Sequence, residues 1–257
     1  MTQLVFMFDG TGNGRDDTYP TNIRILNDAI DGGHYYEGPG NDEGWVSKAF
    51  GGGFGGGVLN TVGDAYTALK SRYKPGMKIY VSGFSRGAAT ARLFSAKVCK
   101  EGVNGHDTGI EFMGCFDTVF ARIPVGWFQQ NSLFGDLHVS PKVKRACHAV
   151  ALDENRKPFI PSLMNAREGI SEVWFRGCHS DIGGGYKNRG LADITLHWMV
   201  EQAVKSGLQI DVRKLPKIGA SPIEDHLEGG FWGRRAARRV GVKRDDEWTD
   251  EEAVVWA

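Results

Sequence analysis

Lys78-Ile79-Tyr80-Val81-Ser82-Gly83-Phe84-Ser85-Arg86-Gly87-Ala88-Ala89-Thr90-Ala91-Arg92-Leu93-Phe94 is the stretch whose reading decides the fold. An apolar, β-prone run enters a Gly-x-Ser-x-Gly pentapeptide at 83–87, and an alanine-rich helical pattern leaves it. Strand, sharp turn and helix in that order are the setting that holds a nucleophilic serine at the top of a sheet. Ser85 is therefore the candidate nucleophile. The two glycines answer a crowding problem: the helix passes close to the strand, and side chains at 83 and 87 would collide there. The backbone N–H of Arg86, at the positive end of the following helix, is a candidate donor to a developing oxyanion.

Upstream, Leu4-Val5-Phe6-Met7-Phe8 is a continuous apolar run, the pattern of a central strand buried on both faces. It ends in the glycine-rich loop Asp9-Gly10-Thr11-Gly12-Asn13-Gly14. In open α/β sheets ligands bind at that carboxyl edge. N–H groups around Gly10 and Thr11 are candidates for the second half of an oxyanion hole, and Asp9 is a candidate to hold the loop by accepting hydrogen bonds. Thr21 or Asn22 caps a helix running to Ile30, His34-Tyr35-Tyr36 is a short strand, and Val58 to Tyr73 has helical spacing stopped by Pro75-Gly76. The order strand, helix, strand, helix, strand, elbow specifies an α/β fold with a mostly parallel sheet and helices on both faces.

Downstream, Ile110 to Phe116 reads as a strand ending at Asp117. A carboxylate at a strand's carboxyl end, after the nucleophile in chain order, suits the orientation of a catalytic histidine, and a helix cap is the alternative. Residues 119–170 read as a lid-like insertion or a packed excursion, with aromatics at Trp127, Phe128 and Phe134. Within it Lys142 to Leu152 fits a helix whose stripe is Val143, Ala146, Cys147 and Val150, with His148 structural. Glu172 to Cys178 is the next strand, opening into His179-Ser180-Asp181-Ile182-Gly183-Gly184-Gly185-Tyr186. His179 is the candidate general base. Three roles are open to Asp181: bracing the loop, serving as the triad acid, or binding a cation. Leu191 to Lys205 is a helix, and Gln209 to Val212 a last short strand. Residues 213–257 are a C-terminal extension of a single domain spanning 1–257, and it carries His226, an alternative base that would pair with Asp181.

Length and composition narrow the classes. A chain of 257 residues suits one sizeable α/β domain. Lysine plus arginine equal aspartate plus glutamate at 31 each, and opposite charge runs at Arg234–Arg239 and Asp245–Glu247 read as a solvated surface, so no nucleic-acid partner is expected. Cys99, Cys115, Cys147 and Cys178 have no metal-ligand spacing and read as reduced core residues. No basic stretch leads into a cleavable apolar segment, and no apolar run reaches transmembrane length. A cytoplasmic location is the expectation, with export by a machine that reads no cleavable signal equally compatible. Met7-Phe8-Asp9-Gly10-Thr11 matches only the second half of the Asp-x-Asp-Gly-Thr strand end of haloacid-dehalogenase-type phosphatases, and methionine cannot attack phosphorus. Gly51 to Gly57 lacks the lysine and hydroxyl of a nucleotide P-loop and reads as a flexible loop near the site entrance.

Four segments taken together resemble the α/β-hydrolase domain family known as domain of unknown function 2235, which includes phospholipase effectors of the bacterial type VI secretion system. They are Phe8-Asp9-Gly10-Thr11-Gly12-Asn13 with Thr21-Asn22-Ile23, Gly83 to Ala88, Phe116-Asp117-Thr118-Val119, and Gly177 to Tyr186. The resemblance implies an α/β-hydrolase sheet, Ser85 as nucleophile, and hydrolysis of small-molecule or lipid esters. It departs from secreted members in lacking a large added membrane-binding or lid region, which favours a small soluble esterase.

The residues thus give three function classes. The first is an esterase using Ser85, His179 and Asp117, with N–H groups of Arg86, Gly10 and Thr11 on the oxyanion and no metal or other cofactor. The second is a metal-dependent phosphoester hydrolase built on Asp9, Asp117, His179 and Asp181. The third is a noncatalytic binding module on the same fold.

Overall fold

Along β1 (Gln3–Phe8) the side chains of Leu4, Phe6 and Phe8 enter one apolar cluster, and those of Val5 and Met7 enter another. That is the period-two alternation of a strand with both faces covered, and it explains why the run is apolar without interruption. The computed structural model describes residues 3–38, 55–120, 138–156, 159–222, 242–244 and 247–249.

The main sheet has six strands, all parallel, in the order β2-β1-β3-β4-β5-β6, where β2 is His34–Tyr36, β3 Lys78–Phe84, β4 Ile110–Phe116, β5 Val143–Ala151 and β6 Ile170–Phe175. Helices α2 (Gly55–Arg72) and α3 (Arg86–Glu101) cover one face through Val62, Leu69, Phe94 and Val98. Helices α1 (Asn22–Ala29) and α5 (Gly190–Lys205) cover the other through Ile23, Leu26, Leu196 and Met199. Between β6 and α5 lies the short helix α4 (His179–Gly183). This is the α/β-hydrolase-like architecture expected from the sequence. The chain moves from β1 outward to β2, then returns past β1 to β3, so β1 and β3 flank the point where strand order reverses. Such switch points open a crevice at the carboxyl ends of the strands.

Local chemistry fixes the helix ends. Thr21 caps α1 by accepting from the N–H of Arg24, an interaction worth about 1 kcal/mol. The Asn22 amide is fully buried and donates to the carbonyls of Ile182 and Ala192, while its oxygen accepts from Arg189 at 2.7 Å. One side chain thereby ties α1 to α4 and α5, with its hydrogen-bonding capacity met.

Three sequence expectations are corrected. Lys142 to Leu152 is not a helix, since β5 occupies most of it and pairs with β4 and β6. A sheet strand therefore lies within the span read as an insertion at 119–170. His148 is structural as expected, but in a strand. Its Nε2 accepts from the N–H of Thr118 at 3.0 Å, so Nδ1 carries the proton and donates to Glu172, its cross-strand neighbour on β6, at 2.7 Å. Gln209 to Val212 forms no strand, because both edges of β1 are already taken by β2 and β3. Its backbone instead bonds to the Gln3 side chain and to Ala29, and a 3-10 turn follows at Val212–Lys214. The aromatics at 127, 128 and 134, residues 51–54 and most of the 213–257 extension lie outside the described residues, while Gly55–Gly57, expected in a flexible loop, belong to α2. In that extension β7 (Val242–Arg244) and β8 (Glu247–Thr249) pair antiparallel.

Candidate active site

Ser85 is the single residue between β3 and α3, with φ 58° and ψ −123°. A serine held at positive φ stores about 1–3 kcal/mol of strain, which the surroundings must impose. Its N–H donates to the carbonyl of Phe116 at 2.9 Å, and its own carbonyl accepts from Val119 at 3.2 Å. The elbow is thus pinned to the end of β4. Arg86 opens α3, where first-turn N–H groups have no acceptor inside the helix.

Asp117 follows β4, fully buried and also strained, at φ 36°. Its Oδ1 accepts from the N–H of Ala151 at 3.0 Å, and its Oδ2 lies 2.7 Å from His179 Nδ1. A buried carboxylate on Nδ1 sets the proton there and leaves Nε2 as the basic nitrogen. The imidazole packs against two rings, with Phe84 and Phe159 centroids each 4.7 Å away. Phe84 directly precedes Ser85, so the end of β3 carries both the serine and one wall of the histidine. Among the described residues the Ser85 hydroxyl makes no hydrogen bond to His179. Catalytic hydrogen bonds commonly tighten only when substrate is bound.

The loop after β1 is organised by Asp9. Its Oδ2 accepts from the Thr21 and Tyr35 hydroxyls, each at 2.6 Å, and its Oδ1 accepts from the N–H of Gly10 at 2.7 Å. In this structure the Gly10 N–H, an oxyanion candidate, is therefore turned onto its neighbour's carboxylate. Thr11 keeps its candidacy as the oxyanion donor from this loop.

Burial pushes the Asp9 carboxyl up to about 6 from its ordinary 3.8, against the three donated hydrogen bonds. A carboxyl raised on folding contributes stability that is full below about pH 4 and lost as pH rises through about 6. Urea unfolding should therefore show wild type losing stability relative to Asp9→Asn between those values, by on the order of 2 kcal/mol. A difference that stays level or grows with pH would contradict this.

Of the other candidates, Asp181 braces its own turn by accepting from the N–H of Cys178 at 2.9 Å, and His226 lies outside the described residues. The four residues of the metal alternative do not converge. Asp9 bonds to Thr21 and Tyr35, Asp181 to the N–H of Cys178, and Asp117 to His179. No group of three or more His, Cys, Asp or Glu among the described residues could hold a metal ion. Sequence reasoning missed Glu154, a buried carboxylate that accepts from the backbone N–H of His179 at 3.1 Å. Nothing in the polar run Asp153-Glu154-Asn155-Arg156 signals burial.

Comparison with known proteins gives concordant results. Residues 2–107 and 95–202 match the family model described as T6SS, phospholipase effector Tle1-like, catalytic domain. An uncharacterized Pseudomonas aeruginosa protein of solved structure superposes with a TM-score of 0.57 at 22% identity, over 82% of this chain and 47% of that one. The Tle1 effector, solved bound to the VgrG spike of the type VI secretion system, gives 0.51 at 23% identity, over 73% of this chain and 52% of that one. An uncharacterized Saccharomyces cerevisiae protein, YEL023C, is 26% identical over 103 residues, 35% of this chain and 15% of its own length. The chain thus spans about half the length of the two solved relatives and a smaller part of the yeast protein. With a serine elbow, a buried Asp–His pair and a glycine-rich β1 loop on one sheet edge, and the family model matched along most of its length, the chain belongs to the Tle1-like phospholipase effector catalytic domain family.

Proposed function

We propose that this domain hydrolyses carboxylic esters through a serine acyl-enzyme, with lipid esters as its preferred substrates. The observation that carries the reading is the 2.7 Å bond between Asp117 and His179 Nδ1 at the sheet edge that bears the strained Ser85. Ser85 Oγ attacks the ester carbonyl while His179 Nε2 takes its proton and then delivers it to the leaving alcohol. Asp117 holds the ring and stabilises the imidazolium. The N–H groups of Arg86 and Thr11 receive the oxyanion, and water activated by the same histidine releases the acid. The lipid preference is supported by the family to which the chain belongs and by the apolar wall of Phe84 and Phe159 at the base. Exposed Ile160 follows directly on that wall. Among the described residues no helix is long and apolar enough to cross a membrane.

The test is intact-mass analysis after incubation with a fluorophosphonate. One adduct should form on wild type and persist in His226→Ala and with chelator present. It should vanish in Ser85→Ala and form far more slowly in His179→Ala. A folded protein that takes no adduct would refute the acyl-enzyme. Equal turnover of short- and long-chain esters, without stimulation at an interface, would refute the lipid preference alone.

A further inference from the structure

We propose that Glu154, Arg156 and Phe159 form a charge-compensated clamp that positions the His179 imidazole against Asp117. This rests on the reading of His179 as the base, and it concerns groups that act through that histidine.

Four contacts close a ring around the histidine. Glu154 Oε2 accepts from the His179 backbone N–H at 3.1 Å, fixing the start of α4. Arg156 grips the same carboxylate with two nitrogens, Nη2 at 2.6 Å and Nε at 3.0 Å, the planar fork that suits guanidinium and carboxylate. The guanidinium carbon stands 3.9 Å from the centroid of the Phe159 ring. That ring packs on the imidazole, its centroid 4.7 Å away. One ion pair therefore holds both the backbone and the ring of a single residue.

The electrostatics follow from the same geometry. Glu154 is 2% exposed, and the Arg156 side chain 13%. Burial works to raise the Glu154 carboxyl, yet Arg156 and the nearby imidazole hold it below its ordinary value, so the pair stays ionised and balanced. The charged groups around the imidazole are Asp117 from the end of β4, Glu154 and Arg156 from the segment after β5, and Asp181 within α4. Arg86 opens α3 beyond the serine. Asp117 bonds the ring directly, and Asp181 is committed to the N–H of Cys178. Glu154 and Arg156 add one charge of each sign, and removing either leaves the other unbalanced near His179.

The prediction is a pair of shifts with opposite sign. Glu154→Gln leaves a lone guanidinium that disfavours the imidazolium, so the His179 titration midpoint falls by about half a pH unit or more. Arg156→Gln leaves a lone carboxylate, and the midpoint rises by a similar amount. The double variant returns close to wild type in midpoint while remaining slower, since the clamp is gone. The ester kcat should fall about tenfold in each single variant with KM little changed, the mark of lost orientation rather than lost binding.

The experiment follows the imidazole by NMR in histidine-labelled protein, with the resonance identified by its loss in His179→Gln. The pH profile of fluorophosphonate labelling runs in parallel. Shifts of the same sign in both single variants, or none beyond about 0.2 unit in folded protein, would overturn the clamp. If a single variant does not fold, Arg156→Lys serves, because it keeps the charge and loses the fork. It should slow kcat without moving the midpoint, and an unchanged kcat would count against the clamp. The NMR arm reads the clamp whether or not the protein takes a fluorophosphonate. Opposed shifts without an adduct would leave the clamp standing and the esterase reading refuted, while an adduct without opposed shifts would do the reverse.

Discussion

Ser85→Ala should lower the ester kcat about a million-fold, and Asp117→Asn about ten-thousand-fold, with both proteins folded, if the proposed triad is correct. The first value follows from removing the attacking atom, which leaves only what the oxyanion donors and binding provide. The second follows from where the two Asp117 oxygens point. Oδ1 accepts from the N–H of Ala151, so in an asparagine the carbonyl oxygen must stay there and the amide NH2 must take the place of Oδ2. That NH2 then faces His179 Nδ1, where two donors cannot meet, and the ring answers by moving its proton to Nε2. A protonated Nε2 cannot take the serine's hydrogen. The check is steady-state kinetics on a soluble ester with unfolding measured in parallel. An Asp117→Asn enzyme within tenfold of wild type would remove Asp117 from the acid role.

Gly87→Ala should unfold the domain or lower its stability by more than about 4 kcal/mol, in the range reserved for severe overpacking. Helix propensity argues the other way and would credit alanine with about 1 kcal/mol. Geometry decides the sign. A Cβ on Gly87 would stand 2.2 Å from the carbonyl oxygen of Phe8 and 2.3 Å from that of Asp9, both backbone atoms of β1 and its loop. A Cβ on Gly83 would stand 2.4 Å from the carbonyl of Gly87. Neither clash is relieved by turning a side chain, so α3 would have to lift off the sheet and carry the Arg86 N–H with it. Denaturant unfolding of Gly87→Ala checks this, and a variant as stable as wild type would show that the two layers have slack.

The elements that the sequence made legible are those whose local chemistry matches their final state. Leu4 to Phe8 has to be apolar throughout because both faces are covered, and Gly83 and Gly87 have to be glycine because α3 crosses so close. β5 was illegible for the same reason that β1 was easy. Its burial is nearly continuous, so Val143, Ala146, Cys147 and Val150 fit a helical template although all nine residues run extended. Its alanines and His148 carry little β-preference, and what makes it a strand is the pair of edges offered by β4 and β6. Ser85, Asp117 and His179 were readable as residues at strand ends. The bond from the Gly10 N–H to Asp9 and the buried Glu154 were not, because each depends on where a polar loop lands after the sheet has formed.

Because each strand end contributes one part, the centre is also ordered in time. The Asp117–His179 bond joins residues 62 apart in sequence, and the Asn22 bonds to Ile182 and Ala192 reach across 160 and 170. Contacts so distant along the chain make for slow folding. At a synthesis rate of about 5–20 residues per second, Ser85 is translated on the order of 5–20 s before His179. A nascent chain therefore carries the proposed nucleophile throughout that interval, and the proposed acid for about the last 3–12 s of it, without the base. A product truncated upstream of β6 would lack the proposed base, and the proposed centre is complete only once the last strand of the main sheet has docked.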